Sequence, residues 1–269
     1  MFDDPEAGRA INRYHGLTLR EIATDAGVEG RAPADAHVLD DAGRARSGIL
    51  AGMMDSAGGL CGGLAALPRW VVSTNLVARI VPSPLAGPIR LHAHVVRAGR
   101  NAVVTAIHGF DDGTGTQVCE AVLTAAALEP AGGPPSHPRP LHVPVTLRED
   151  SPPKPEVFYG IRPRRTGDTG GVELDLVPTV RNPWGILHGG VTTSLVEAAV
   201  DAAMGRPAPI TSEVLRFLAP GRVGPVGARA DAVGVRPDGV LLRVEVRDHG
   251  ADDRLLALAV VTARPDPNG

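Results

Sequence analysis

The sequence predicts an α+β chain of two similar units, each an antiparallel sheet wrapped around one central apolar helix. Three observations carry this expectation. A segment occurs twice without a gap, as GRARSGILAGMMDSAGG (Gly43 to Gly59) and GILHGGVTTSLVEAAVD (Gly185 to Asp201). After each copy come runs that alternate apolar and polar residues with a period of two, the mark of half-buried strands. Between the halves, from Glu129 to Glu156, prolines deny helix and central-strand hydrogen bonding. The boundaries read as 1–130 for the first unit, 131–155 for a proline-rich, semi-rigid linker and 156–269 for the second.

Composition bounds the rest. The 269 residues are 43% hydrophobic with a formal net charge of −3. That excludes a disordered chain and gives no electrostatic reason for a nucleic-acid or anionic-membrane partner. No apolar run is read as long enough to cross a bilayer, and MFDDPEAGRA opens with acids where a signal peptide needs basic residues. Cys61 and Cys119 do not make a disulfide framework, so the expectation is a cytoplasmic protein with reduced thiols.

In chain order, each unit opens on irregular strands, where Gly27-Val28-Glu29 answers to Gly171-Val172-Glu173. A glycine turn follows, then a helix apolar nearly all round, which must be buried. In the repeat Gly43 meets Gly185, Arg46 meets His188, Gly48 meets Gly190, and Asp55 meets Glu197. The strands after each helix run TNLVARIV, IRLHAHVV and AVVTAIHG in the first unit, and SEVLRFLA, GARADAVG and VLLRVEVR in the second. Each unit ends on a strongly apolar strand, VCEAVLTAAAL or LLALAVVTA. Asp55 and Glu197 are then carboxylates inside buried helices, which is costly unless each is partnered or put to use.

N-x-x-G-x-L-H-G-G (Asn182 to Gly190), with an acid nine residues after His188, resembles the hotdog-fold thioesterases, in particular the PaaI-like branch. Since both halves match, the chain resembles a tandem, or double, hotdog protein. The resemblance implies hydrolysis of an acyl-CoA thioester without metal or organic cofactor, at a site between the two units. It also implies a monomeric pseudo-dimer or an oligomer of such pseudo-dimers. Gly189 and Gly190, at a helix start, are candidate oxyanion donors, and Gly190 a candidate contact to the substrate. His188 and Asn182 are candidates to hold the carbonyl or to position water. Arg97 and Arg100, in a predicted hairpin turn, are candidate contacts to CoA phosphates. His92 and His94 share a strand face, but no third metal ligand is identified.

Helix geometry separates the two acids. Nine residues at ~1.5 Å each put Glu197 roughly 13 Å from His188 along one helix, so a shared site must take its acid from the other unit. One crossing combines Asp55 with Asn182, His188 and Gly189. The other combines Glu197 with Asp40, Arg46 and Ser47, where an Arg46–Glu197 ion pair and little catalysis are expected. Glu197 thus reads either as a second catalytic acid or as an ion-pair partner. Two other functional classes stand beside the thioesterase: a non-catalytic acyl-CoA-binding or sensing module, and an enoyl-CoA hydratase or dehydratase.

Overall fold

The structure, a computed structural model, describes residues 10–22, 27–129, 142–143, 152–166 and 169–264. The first unit holds α1 (Ala10–Tyr14), β1 (Thr18–Ile22), β2 (Gly27–Ala32), α2 (Ser47–Ala66), β3 (Trp70–Ile80), β4 (Ile89–Ala98), β5 (Ala102–Asp111) and β6 (Thr116–Leu128). A short strand, β7 (His142–Val143), follows. The second unit holds α3 (Pro155–Tyr159), β8 (Arg162–Thr166), β9 (Thr169–Leu174), a 3-10 turn, α4 (Gly189–Met204), β10 (Ile210–Phe217), β11 (Val226–Arg236), β12 (Gly239–Asp248) and β13 (Arg254–Ala263).

The strands form one sheet in the order β7-β1-β2-β4-β5-β6-β3-β10-β13-β12-β11-β9-β8. The two halves join where β3 and β10 pair antiparallel, Val77 opposite Val214 and Leu76 opposite Leu215. The alternation puts Leu76, Ile107 and Leu123 in one half, and Leu215, Val244 and Val261 in the other, on the buried side toward the helices. Most of the expected linker lies outside the described residues. His142 and Val143 within it pair with Arg20 and Leu19 and so extend the first unit's edge.

α2 is long and apolar enough, by length and composition, to cross a membrane, which corrects the expectation that no run reaches that length. Its apolarity has another cause: β2 to β6 wrap one side of it and α4 crosses another. It stops before Pro68, because the residue before a proline is steered out of helical geometry. α4 ends at Gly205 in left-handed backbone (φ +68°), whose N–H returns to the Asp201 carbonyl.

The helices approach closely because small residues meet at the crossing. A Cβ on Gly52 would sit 2.9 Å from the Gly190 Cα, and one on Gly48 would sit 2.7 Å from the Thr193 carbonyl oxygen. The Thr193 hydroxyl, 2.7 Å from the Gly48 carbonyl oxygen, ties the two helices together.

The repeat register holds atom for atom in the loops before the helices. Asp40 N–H donates to the Arg44 carbonyl and Asn182 N–H to the Ile186 carbonyl, each at 2.8 Å. Arg46 N–H likewise reaches Val38, and His188 N–H reaches Val180. The correspondence also extends further upstream than GVE. RYHGL (Arg13 to Leu17) matches VFYGI (Val157 to Ile161), and the matched residues touch one another. Tyr14 stacks on Phe158 at 3.9 Å between ring centres, and His15 Nε2 lies 2.8 Å from the Tyr159 hydroxyl. These contacts mark the approximate two-fold axis between the units.

Candidate active site

The second unit supplies the loop and helix start. Asn182 Oδ1 accepts from the N–H groups of Trp184 (3.0 Å) and Ile186 (3.3 Å), closing a side-chain turn. Gly185 takes the left-handed conformation (φ +71°) this turn requires. The loop delivers His188 as the N-cap of α4, where its Nδ1 accepts from Gly190 N–H at 2.9 Å. A backbone N–H only donates, so Nδ1 is unprotonated and the neutral ring carries its proton on Nε2. Burial pushes the imidazole pKa down to about 4, which keeps that form.

Two expectations change here. Gly190 N–H is already bonded to His188, so it is not free to meet an oxyanion; its small size serves the helix crossing. The Asn182 oxygen shapes its own loop rather than facing a substrate. Gly189 differs from both. As the first residue of α4, its N–H is among those that helix geometry leaves without an intrahelical acceptor.

The first unit supplies Asp55, 6% exposed, from the middle of α2. The Ser73 hydroxyl, on β3, donates to Asp55 Oδ1 at 2.6 Å. Burial raises the carboxyl to about 6, with the Ser73 bond pulling the other way. The other oxygen lies against Gly189: a Cβ there would collide with Oδ2. Asp55 and Gly189 therefore meet from two units, as the helix-length argument requires, and His188 precedes Gly189 in the chain. Ser73 was not singled out from the sequence, since nothing in a run such as VVSTN marks which hydroxyl will face the helix. Nearby, the rings of Trp70 and Trp184, one from each unit, are in contact.

The opposite crossing is built differently. Burial and Asp201 raise the Glu197 carboxyl to about 7, against the opposite pull of Arg46 and of the Gly48 and Ser47 N–H groups at the start of α2. Glu197 thus lies beside the start of a helix whose own N-cap, Arg46, makes no side-chain cap bond. The expected Arg46–Glu197 ion pair is not formed at contact distance. Arg46 Nη1 bonds Glu156 Oε1 at 2.8 Å, and Glu197 acts on it from further away. Glu156 lies in the proline-rich stretch and is brought in by α3, outside the repeated motif. Asp40 Oδ1 accepts from Ala42 and Arg44 N–H, and Oδ2 pairs with Arg44. Ser47 Oγ accepts from Ile210 N–H. Ile210 precedes the β10 bulge as Ser73 precedes the β3 bulge, so this crossing has no counterpart of the Ser73 hydroxyl. Asp201 is raised to about 6 and Glu213 to about 8, both chiefly by burial.

Arg97 and Arg100 lie exposed at the β4–β5 hairpin, whose Gly99 N–H bonds the Ala102 carbonyl. Arg69 donates to the carbonyls of Gly99 and Arg100, tying that turn to the C-terminal end of α2. The structure does not bring this pair beside Asp55, which lies eleven residues, or about 16 Å, back from the end of α2. His92 and His94 gain a neighbour the sequence did not identify, His108 on β5, whose ring stacks 5.7 Å from that of His94. Among the described residues, no three His, Cys, Asp or Glu side chains are grouped as metal ligands would be.

No protein-family model matches the sequence, and no curated protein matches it. Solved structures do match the fold. An acyl-ACP thioesterase from Bacteroides thetaiotaomicron superposes with a TM-score of 0.62 at 15% identity, over 89% of this chain and 98% of that one. The tesB protein of Mycobacterium avium subsp. paratuberculosis gives 0.60 at 11% identity, over 97% and 100%. A hot dog fold protein from Alicyclobacillus acidocaldarius gives 0.58 at 18% identity, over 96% and 98%. The chain has the double hotdog fold.

Proposed function

We propose that the protein is an acyl-CoA thioesterase with one competent site, built from Asp55 of the first unit and His188 and Gly189 of the second. The observation that carries this reading is the Asp55 carboxylate lying against Gly189 at the start of α4, with Ser73 fixing one of its oxygens. The Nε2–H of His188 and the N–H of Gly189 are the donors for the thioester oxygen, where negative charge develops. Asp55 Oδ2 takes a proton from water as the water oxygen bonds the carbonyl carbon. Collapse of the tetrahedral adduct breaks the C–S bond, and the departing thiolate receives the proton that Asp55 holds. The products are a carboxylic acid and free CoA. A carboxyl titrating near 6 is ionised at neutral pH and can serve as that base.

The second crossing is, in this proposal, structural. Its acid lies against a helix start, its arginine is paired with Glu156, and the Ser73 hydroxyl has no equivalent there. One chain supplies both halves of the working site, so a single pseudo-dimer is the competent unit. Cys61 and Cys119 are buried thiols, as suits the reducing cytoplasm in which we place the protein. The test is thiol release from short, long and aromatic acyl-CoAs by wild type, Asp55→Asn and Glu197→Gln. Loss in the first variant and retention in the second support the proposal. The reverse result makes the Arg46 crossing the working one. CoA-ester binding without thiol release identifies a binding module instead.

A further inference from the structure

We infer, building on the thioesterase reading above, that the face of α2 from Asp55 past Gly59 to Gly63 is the channel for the acyl chain, and that it takes an apolar acyl group about ten carbons long.

The glycines of α2 fall into two sets. A Cβ on Gly58 would come 2.8 Å from the Ile107 side chain, and one on Gly62 would touch Thr105 and Val103 at 3.6 Å. Those two face the sheet, and packing accounts for them. A Cβ on Gly59 would meet nothing within 4 Å, and one on Gly63 only Val71, at 3.6 Å. A glycine inside a helix costs about 1 kcal/mol relative to alanine. Nothing in the fold requires that cost at Gly59.

The bare face has a definite origin. At Gly48 and Gly52 this side of α2 is covered by α4, but α4 begins at Gly189, beside Asp55. Beyond Asp55 the covering helix is gone. The space it leaves starts at a carboxylate that is 6% exposed, with Oδ1 held by Ser73 and no hydrogen bond to Oδ2 among the described residues. Val71 borders the far end, next to Trp70, whose ring meets Trp184 from the other unit. The eight residues from Asp55 to Gly63 span about 12 Å, the extended length of roughly ten methylene carbons. Such walls suit an alkyl chain. On α4 the matching positions, four and eight residues beyond Glu197, are Asp201 and Gly205. The Asp201 carboxylate is bonded to Ala208 N–H at 2.8 Å, so that crossing offers no equivalent apolar run.

The experiment measures kcat/KM for saturated acyl-CoAs from two to sixteen carbons with wild type, Gly59→Leu and Gly63→Leu. Intrinsic tryptophan fluorescence follows binding in parallel, since Trp70 and Trp184 sit at the channel's end. Leucine at either site favours the helix, so folding is not at risk. Wild type is expected to peak near ten carbons. Gly59→Leu should lower decanoyl-CoA turnover at least tenfold while acetyl-CoA changes less than twofold, and Gly63→Leu should penalise only the longer chains. Equal losses at all lengths, with weakened inhibition by free CoA, would mean that the groove holds the CoA arm and would overturn the inference. So would indifference to chain length. If wild type hydrolyses nothing but binds decanoyl-CoA in a way that Gly59→Leu abolishes, the channel stands and the thioesterase reading fails.

Discussion

Asp55→Asn should make the protein more stable while removing its activity, and the stability gain should grow with pH. The side chain is buried, and its carboxyl titrates near 6 where an ordinary aspartate titrates near 3.8. Its folded pKa is raised, so the native state binds the proton more tightly than the unfolded chain. Wild-type stability from this group is therefore complete below pH 3.8 and declines as pH rises through about 6. At ~1.36 kcal/mol per pH unit the full penalty is about 3 kcal/mol, of which about 1.6 is already present at pH 5. Asparagine carries no charge to desolvate and still offers an oxygen to the Ser73 hydroxyl. Urea unfolding of wild type and Asp55→Asn at pH 5 and pH 8 measures the difference directly. The variant's advantage should widen by about 1.4 kcal/mol between the two. An advantage that is flat or shrinks with pH refutes the reasoning, because it would mean that the carboxylate is solvated or paired as an anion. Other buried acids shift both proteins alike and cancel in the comparison.

Replacing His188 with alanine should cost about 1 kcal/mol through the lost cap, whereas asparagine, a good N-cap, should restore stability without restoring hydrolysis; thermal melts and thiol release separate the two roles. Gly189→Ala places a methyl against the Asp55 carboxylate and should lower kcat by roughly a hundredfold, the scale of losing an oxyanion-site contact. The log of kcat/KM should rise with pH through about 6 as Asp55 ionises and then level off, with no step from His188, which is neutral above about 4; a fall above pH 6 would contradict the base assignment. Glu213 stands two residues beyond the β10 bulge, the place Leu76 holds on β3, and neither of its carboxyl oxygens has a hydrogen bond among the described residues. Glu213→Leu should stabilise the fold, by at least ~2 kcal/mol more at pH 9 than at pH 5, since its carboxyl titrates near 8.

Much of the architecture was legible because the repeat constrains backbone geometry. Gly43 and Gly185 must take left-handed turns, and Asp40 and Asn182 must close them, so the register survives where side chains have diverged. The two-unit division followed from the repeat and the proline-rich stretch between its copies, and the crossing of Asp55 to the other helix followed from helix rise. What escaped depends on contacts between elements. The Ser73–Asp55 bond joins a strand to a helix, and no spacing rule selects that hydroxyl. The His188 side chain could take up Gly190 N–H only in one ring orientation, which the sequence does not encode. Glu156 as the partner of Arg46 lies in a stretch whose prolines suggested a mere spacer. The RYHGL and VFYGI match was visible in the letters, but each helix there is a single turn, too short to draw notice by periodicity.

The Tyr14–Phe158 stack and the His15–Tyr159 bond show residues at equivalent positions meeting face to face although they are different amino acids. Two identical subunits cannot do this: a change at such a place is made on both sides at once, and every active crossing inherits it. Once the halves are fused, each is free to drift alone. One crossing can hold an arginine and a glutamate beside a helix start, as a fixed anchor, while the other keeps an open face and a carboxylate with one oxygen unbonded among the described residues. Fusion also makes the pairing independent of concentration, so a surface shared between two lobes survives dilution that would take a dimer apart.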